Sequence, residues 1–257
     1  MEKLTIIKVG GKVVEEEASL HQLLEDFSKL PGKKILVHGG GRSATAMASK
    51  LGVDTKMVNG RRITDLEMLK VVTMVYGGLV NKNIVAGLQA NNCNAIGLTG
   101  ADMNVIQAVK RPVVDIDYGY AGDVTGVNAV GLKNLLDQGV TPVMAPLTHN
   151  QKGSMLNTNA DTIASEVAIA LSEFFDTELV FCFEKNGVLE DADNDNSVIP
   201  VLTPENYEEY KSKEVIKDGM IPKLDNGFAA LKKGVSSIRI VNSGTFIQPG
   251  SGTTLKL

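Results

Sequence analysis

Two lysines stand where a lysine is costly. Lys8 interrupts the apolar, β-branched run of residues 4–9, and an unpaired ammonium is expensive to bury. Lys223 follows Pro222 in "DGMIPK" (218–223). With Pro222 read as the first helical position, Lys223 falls in the first turn, at the positive end of the helix dipole. A snorkelling edge lysine and a solvated surface lysine are the ordinary alternatives. An anion held nearby would make both positions favourable.

Two glycine clusters could hold such an anion. Gly10-Gly11 ends the first apolar run, and Gly39-Gly40-Gly41 ends "KILVH" (34–38). Each precedes a helical segment, where consecutive N–H groups and a helix N-terminus form an anion cradle. A tight strand-to-helix turn would explain either cluster alone. Two of them after consecutive strands would lie at one edge of a parallel sheet, where ligands bind.

The stretch "LNTNAD" (156–161) adds Asn157, Asn159 and Asp161 around another helix start. Helix capping accounts for any one of them. As a group they also suit a ligand's amide and carboxylate, with Asp161 holding lysines in place. Arg62, beside Arg61, could grip a carboxylate bidentately or be half of a surface arginine pair.

Other chemistries find little support. The nucleotide loop G-x-x-x-x-G-K-[ST] does not occur. "GGGRSA" fits the dinucleotide fingerprint, but Asp65, near the required spacing, heads a helix instead of ending a strand. His21, His38 and His149 have no metal-ligand spacing, and His38 reads as a structural histidine packed under the glycine turn. Cys93 and Cys182 read as free thiols of a reducing cytoplasm. A net charge of −4 gives no basic footprint for nucleic acid. No run approaches a membrane span and nothing resembles a signal peptide, so neither a membrane nor a nucleic acid is an expected partner.

The elements that must position these residues begin with strand, helix, strand, helix over residues 4–51, which implies a mainly parallel sheet covered by helices. "NGRRIT" (59–64) carries an Asn59-Gly60 hairpin turn. Thr64 and Glu67 form a capping-box pattern opening a helix to about residue 90. Residues 104–127 read as antiparallel strands and turns, 128–138 as a helix, and "TPVMAPL" (141–147) as a strand. A helix from Asn159, the strand "ELVFCF" (178–183), an acidic loop at 190–196, a helix from Pro222 and two closing strands complete the chain. A soft boundary falls near residue 175.

Taken in order, "KVGGK" (8–12), "VHGGG" (37–41), "NGRRIT", "GYAGDVTGVN" (119–128), "LNTNAD" and "DGMIPK" resemble the acetylglutamate kinases of the amino acid kinase family. The resemblance implies a three-layer αβα sandwich. Its first lobe (1–175) would bind the acylated amino acid and mediate dimerisation, and its second (176–257) would bind ATP. It implies γ-phosphoryl transfer to the side-chain carboxylate of N-acetyl-L-glutamate, in arginine biosynthesis, by a cytoplasmic homodimer. The motifs leave a larger acyl group such as succinyl open. A catalytically silent amino-acid sensor, or a kinase for another amino acid, is the alternative.

By position, the resemblance makes Lys8 and Lys223 stabilise the transferring group while Asp161 orients both. Gly10, Gly11, Gly40 and Gly41 offer N–H groups to the phosphates and to the substrate's reacting end. Arg62, Asn157 and Asn159 hold the substrate. Glu184, Lys185, Asn186, Gly187, Val188, Leu189, Ile216 and Lys217 border the nucleotide, although relatives usually carry Asp-x-x-Gly where this chain has Glu184-Lys185-Asn186-Gly187. No protein metal site is implied; Mg²⁺ would arrive with ATP. The chain's start at its first strand suits the arginine-insensitive dimeric type.

Overall fold

A computed structural model describes residues 1–58, 60–217 and 219–257; Asn59, of the expected hairpin turn, and Asp218 lie outside the described residues. The apolar run at the start forms β1 (Lys3–Val9), followed by α1 (Gly11–Glu15), α2 (Glu17–Lys29), β2 (Lys33–His38) and α3 (Gly41–Lys50). A short antiparallel pair, β3 (Met57–Val58) and β4 (Arg61–Arg62), leads into one 25-residue helix, Leu66–Ala90. That helix comprises α4 (Leu66–Val72), a π-helical stretch (Thr73–Val80) and α5 (Asn81–Ala90).

Next come β5 (Ala95–Leu98), β6 (Ile106–Lys110), β7 (Gly122–Val127), α6 (Ala129–Asp137), β8 (Thr141–Met144), β9 (Leu147–His149), β10 (Met155–Asn157) and α7 (Ala160–Leu171). The chain ends with β11 (Asp176–Phe183), β12 (Val201–Leu202), α8 (Pro204–Ser212), α9 (Met220–Lys232), β13 (Ser237–Asn242) and β14 (Thr253–Leu255).

The main sheet has the order β12-β14-β13-β11-β1-β2-β8-β5, and its pairs are parallel except β13–β14. Alternation along β1 sends Leu4 and Ile6 to one face, with Ile163 and Val167 of α7 and Leu224 and Phe228 of α9. Ile7 and Val9 go to the other, with Leu23, Phe27, Ala44, Val72 and Ile84. Two apolar cores on opposite faces of one sheet make the three-layer αβα sandwich. A smaller sheet, β10-β9-β6-β7, carries the antiparallel β6–β7 pair expected between residues 104 and 127.

Several local expectations need correction. The long helix is capped by Asp65, which accepts from the Met68 N–H at 2.8 Å, not by Thr64. Thr64 is fully buried, and its hydroxyl accepts from Asn157 instead. Helix α9 starts at Met220, so Pro222 is its third residue; N–H groups of a first turn have no intrahelical acceptor, and proline fits there too. "TPVMAPL" is split between the two sheets at Ala145-Pro146. The Leu66–Ala90 helix is in fact long and apolar enough to cross a membrane, but here Met68, Val72, Val75, Ile84 and Leu88 pack into the core. The soft boundary expected near residue 175 falls just before β11, which pairs directly with β1 in the main sheet.

Candidate active site

Three loops leave the sheet at one edge. In register, Val9 lies between His38 of β2 and Cys182 of β11, so the chain leaves all three strands at the same level. The crevice outside the carboxyl ends of such strands is where an open parallel sheet binds ligands.

Lys8 shares the face of Leu4 and Ile6 by strand alternation, and meets the first turn of α7. Its Nζ lies 2.8 Å from Asp161 Oδ1, and Lys223 of α9 donates to Asp161 Oδ2 at 3.0 Å. Each oxygen of the Asp161 carboxylate thus faces one ammonium, Oδ1 that of Lys8 and Oδ2 that of Lys223. Side-chain exposure is 12% for Lys8, 11% for Lys223 and 17% for Asp161, so two ammoniums share one carboxylate away from bulk water.

The electrostatics follow from that count. Burial alone would raise the Asp161 pKa, but Lys8 and Lys223 outweigh it and hold the carboxyl well below the usual range. Lys223 moves down from the ordinary lysine value, first through burial and then through the charge of Lys8, against the pull of Asp161 and Glu184. One positive charge is left uncompensated, which suits an incoming anion.

The two glycine turns face each other; a Cβ built on Gly11 would lie 3.7 Å from the nitrogens of both Gly40 and Gly41. Not every N–H in them is free. Gly10 donates to Cys182 O and Gly39 to Val9 O, each at 3.1 Å, so the assignment of Gly10 as a donor to phosphate is corrected. Among the described residues, Gly11, Gly40 and Gly41 have no protein acceptor, and these three form the cradle. Gly40 has φ +154°, and a side chain there would meet Tyr76 Cδ1 at 2.9 Å. Only glycine fits that position.

Beside the cradle is a cleft of about 220 Å³, lined by Gly40, Gly41, Arg62, Arg111, Asn157 and Asn159 among others. Its size suits a small acylated amino acid better than a drug-sized ligand. Arg62 is locked by bonds from Nη2 to Gly41 O (2.7 Å) and Thr45 Oγ1 (2.9 Å). Asn157 donates through Nδ2 to Thr64 Oγ1, leaving its oxygen to accept from a ligand N–H. Asn159 Oδ1 is occupied as the α7 cap, accepting from the N–H groups of Asp161 and Thr162, so only its amide nitrogen can reach a ligand.

Sequence reasoning missed Tyr76, whose ring closes over Gly40, and Arg111, which pairs with Asp123 across β6–β7 and stacks on Tyr118. An arginine ending a strand beside "DYGYAGD" was the available signal for Arg111; nothing marked Tyr76 among five tyrosines. An Arg62→Lys variant keeps the charge but loses the fork. It should raise the KM for the cleft's substrate by about 10–100-fold and change kcat less, as steady-state kinetics would measure.

The segment expected at the nucleotide divides. Glu184, Lys185, Asn186 and Lys217 are exposed, and Glu184 lies near enough to Lys223 to favour its charge. Gly187 packs on Thr253 and Val198, while Val188, Leu189 and Ile216 are buried, the first and last within the apolar core. Gly187 has no side chain and those of Val188, Leu189 and Ile216 are buried, so these four could border a nucleotide through their backbone and not through side chains.

His38 is fully buried and neutral, its pKa lowered to about 4 chiefly by burial, and it is not a general base for this cleft. Both cysteines are free and buried; Cys182 is pushed up to about 12 by burial and is inert.

The model of the amino acid kinase family matches residues 3–242. An acetylglutamate kinase of Phocaeicola vulgatus is 66% identical over 99% of both chains. One from Methanopyrus kandleri is 38% identical, over 98% of this chain and 100% of that one. Among solved structures, an N-acetylglutamate synthase of Neisseria gonorrhoeae, complexed with coenzyme A and N-acetyl-glutamate, superposes with a TM-score of 0.84. It is 22% identical, over 99% of this chain and 59% of that one, and so speaks for the fold alone. With its glycine cradle, its shared aspartate and these end-to-end matches, the chain belongs to the amino acid kinase family.

Proposed function

We infer that the chain transfers the γ-phosphoryl group of ATP to the side-chain carboxylate of N-acetyl-L-glutamate, the acyl phosphate-forming step of arginine biosynthesis. The observation that carries this reading is the uncompensated charge of Lys8 and Lys223 around Asp161, next to three free glycine N–H groups. The acetylglutamate kinases that match end to end supply the substrate.

The acceptor carboxylate has an ordinary pKa of about 4.3, is already ionised, and needs no base. One of its oxygens attacks Pγ; the bond from Pγ to the β–γ bridging oxygen breaks, and ADP leaves with that electron pair. The obstacle is bringing one anion onto another. Arg62 and Asn157 hold the α-carboxylate and acylamino group, which fixes the approach. Lys8, Lys223 and the N–H groups of Gly11, Gly40 and Gly41 stabilise charge on the equatorial oxygens.

Mg²⁺ is part of this reading only as cargo of the nucleotide. No cluster of three metal-ligating side chains exists among the described residues, and both Asp161 oxygens face lysines. The residues present do not form a cage for it. ATP would lie over the end of β11, against residues 184–189 and 216–217, making residues 176–257 the nucleotide lobe and 1–175 the acylglutamate lobe. A cytoplasmic homodimer belongs to the same proposal. Leu66, Met74 and Leu79, each about half exposed on the long helix, support a second copy docking there.

The test is ATP-dependent acyl phosphate formation, trapped with hydroxylamine, across glutamate, aspartate, N-acetylglutamate and N-succinylglutamate. Product with N-acetylglutamate is expected; no product with any acylated glutamate would sink the reading. A pH profile adds a second check. Lys223 must be charged, and its pKa is lowered in the free protein, so kcat/KM should fall as pH rises, below the ordinary lysine value of about 10.4. The limb in kcat should lie higher, because bound phosphates favour the ammonium. A kcat/KM flat beyond that value would contradict the role of Lys223.

A further inference from the structure

The histidine set aside as a base has a different use. Asn81 fixes its tautomer. Lys82 Nζ, which can only donate, lies 3.2 Å from Asn81 Oδ1, and Val143 O, which can only accept, lies 3.0 Å from Asn81 Nδ2. The Asn81 amide is therefore oriented, and the group it turns to His38 Nε2, at 3.1 Å, is the donor Nδ2. Nε2 must accept, so the imidazole proton is on Nδ1, which donates to Gly39 O at 2.6 Å. Burial keeps the ring neutral, with one proton to place.

The Gly39 carbonyl and the Gly40 N–H belong to one planar trans peptide and point in opposite directions. Gripping the carbonyl from beneath the sheet edge aims the N–H away from His38. That peptide leads into Gly40 at φ +154°, a conformation that persists only where its surroundings hold it. A hydrogen bond to the carbonyl also polarises the amide and strengthens its N–H as a donor.

We propose that His38 is a positioning residue for phosphoryl transfer, its Nδ1–H holding the Gly39–Gly40 peptide so that the Gly40 N–H meets the transferring group. The proposal rests on the kinase reading above. It adds a relay that runs from the exposed Lys82 through the buried Asn81 and His38 to the Gly39–Gly40 amide, whose last member touches the chemistry.

The experiment compares His38→Phe, a ring without a donor, with His38→Asn, whose amide nitrogen can occupy the place of Nδ1. In the hydroxylamine assay, His38→Phe should lose about 10–100-fold in kcat, less than the loss of a whole donor, with the KM for ATP within about threefold. His38→Asn should recover most of that loss. A folded His38→Phe that keeps over half its turnover overturns the proposal, and so does a His38→Asn that falls as far. Should His38→Phe not fold, the imidazole ¹⁵N spectrum of the wild-type protein decides: a proton on Nδ1 is expected, and one on Nε2 overturns it. A wild-type protein that forms no acyl phosphate fails the kinase reading itself. Normal wild-type turnover with an indifferent His38→Phe fails this proposal alone.

Discussion

Lys223→Ala should yield a folded protein whose kcat is lower by about two to three orders of magnitude, with the KM for N-acetylglutamate little changed. The ammonium is held by Asp161 at 3.0 Å and lies 5.1 Å from the Phe181 ring centroid, so its place is set before any ligand arrives. Such a preorganised cation in a water-poor site is worth about 3 kcal/mol in the transition state. Folding should suffer little, because removing one of two like charges relieves repulsion with Lys8 and leaves Asp161 its other partner. Single-turnover kinetics and a thermal melt read the two effects separately. Turnover near normal in the variant would remove Lys223 from the mechanism. Lys8→Ala should behave alike, as it supplies the other side of the same carboxylate.

Asp161→Asn should be worse for the fold than either lysine change. The isosteric amide leaves two buried ammoniums facing each other without a counter-charge, a change that typically costs about 3–5 kcal/mol. The pH dependence carries the signature. In the wild-type protein the depressed Asp161 pKa contributes stability that is fully present above about 3.9 and is lost as pH falls through the lower folded value. Asp161→Asn lacks that acid step. Its deficit should shrink as pH rises and a lysine gives up its proton. Denaturant melts at several pH values measure this, and a deficit constant from pH 6 to 10 would show that charge is not its cause.

Much of the architecture was legible because the pattern was local. Apolar β-branched runs ending in glycine gave β1, β2 and their turns, and Asn159 caps α7 as its type and place suggest. Lys8 and Lys223 stood out because each contradicts its local environment, and the contradiction resolves only when residues far apart in sequence meet. What stayed hidden depends on tertiary contact. Thr64 was read as a cap because nothing in the sequence says that Asn157 takes its hydroxyl. Gly10 looked equivalent to Gly11 until the Cys182 carbonyl claimed its N–H. Tyr76 reaches the site in the space that a side chain on Gly40 would fill.

The strand order has a consequence for how the protein is made. β1 leaves the ribosome first, yet one of its two neighbours, β11, spans Asp176–Phe183. Until those residues emerge, the nascent chain carries the central strand of its sheet with one edge unpaired, a template for wrong pairing. Lys8 is on that strand, and its charge acts as a gatekeeper within an otherwise apolar run. The lysine proposed for phosphoryl transfer thus also places a charge on the strand that must wait longest for its partner.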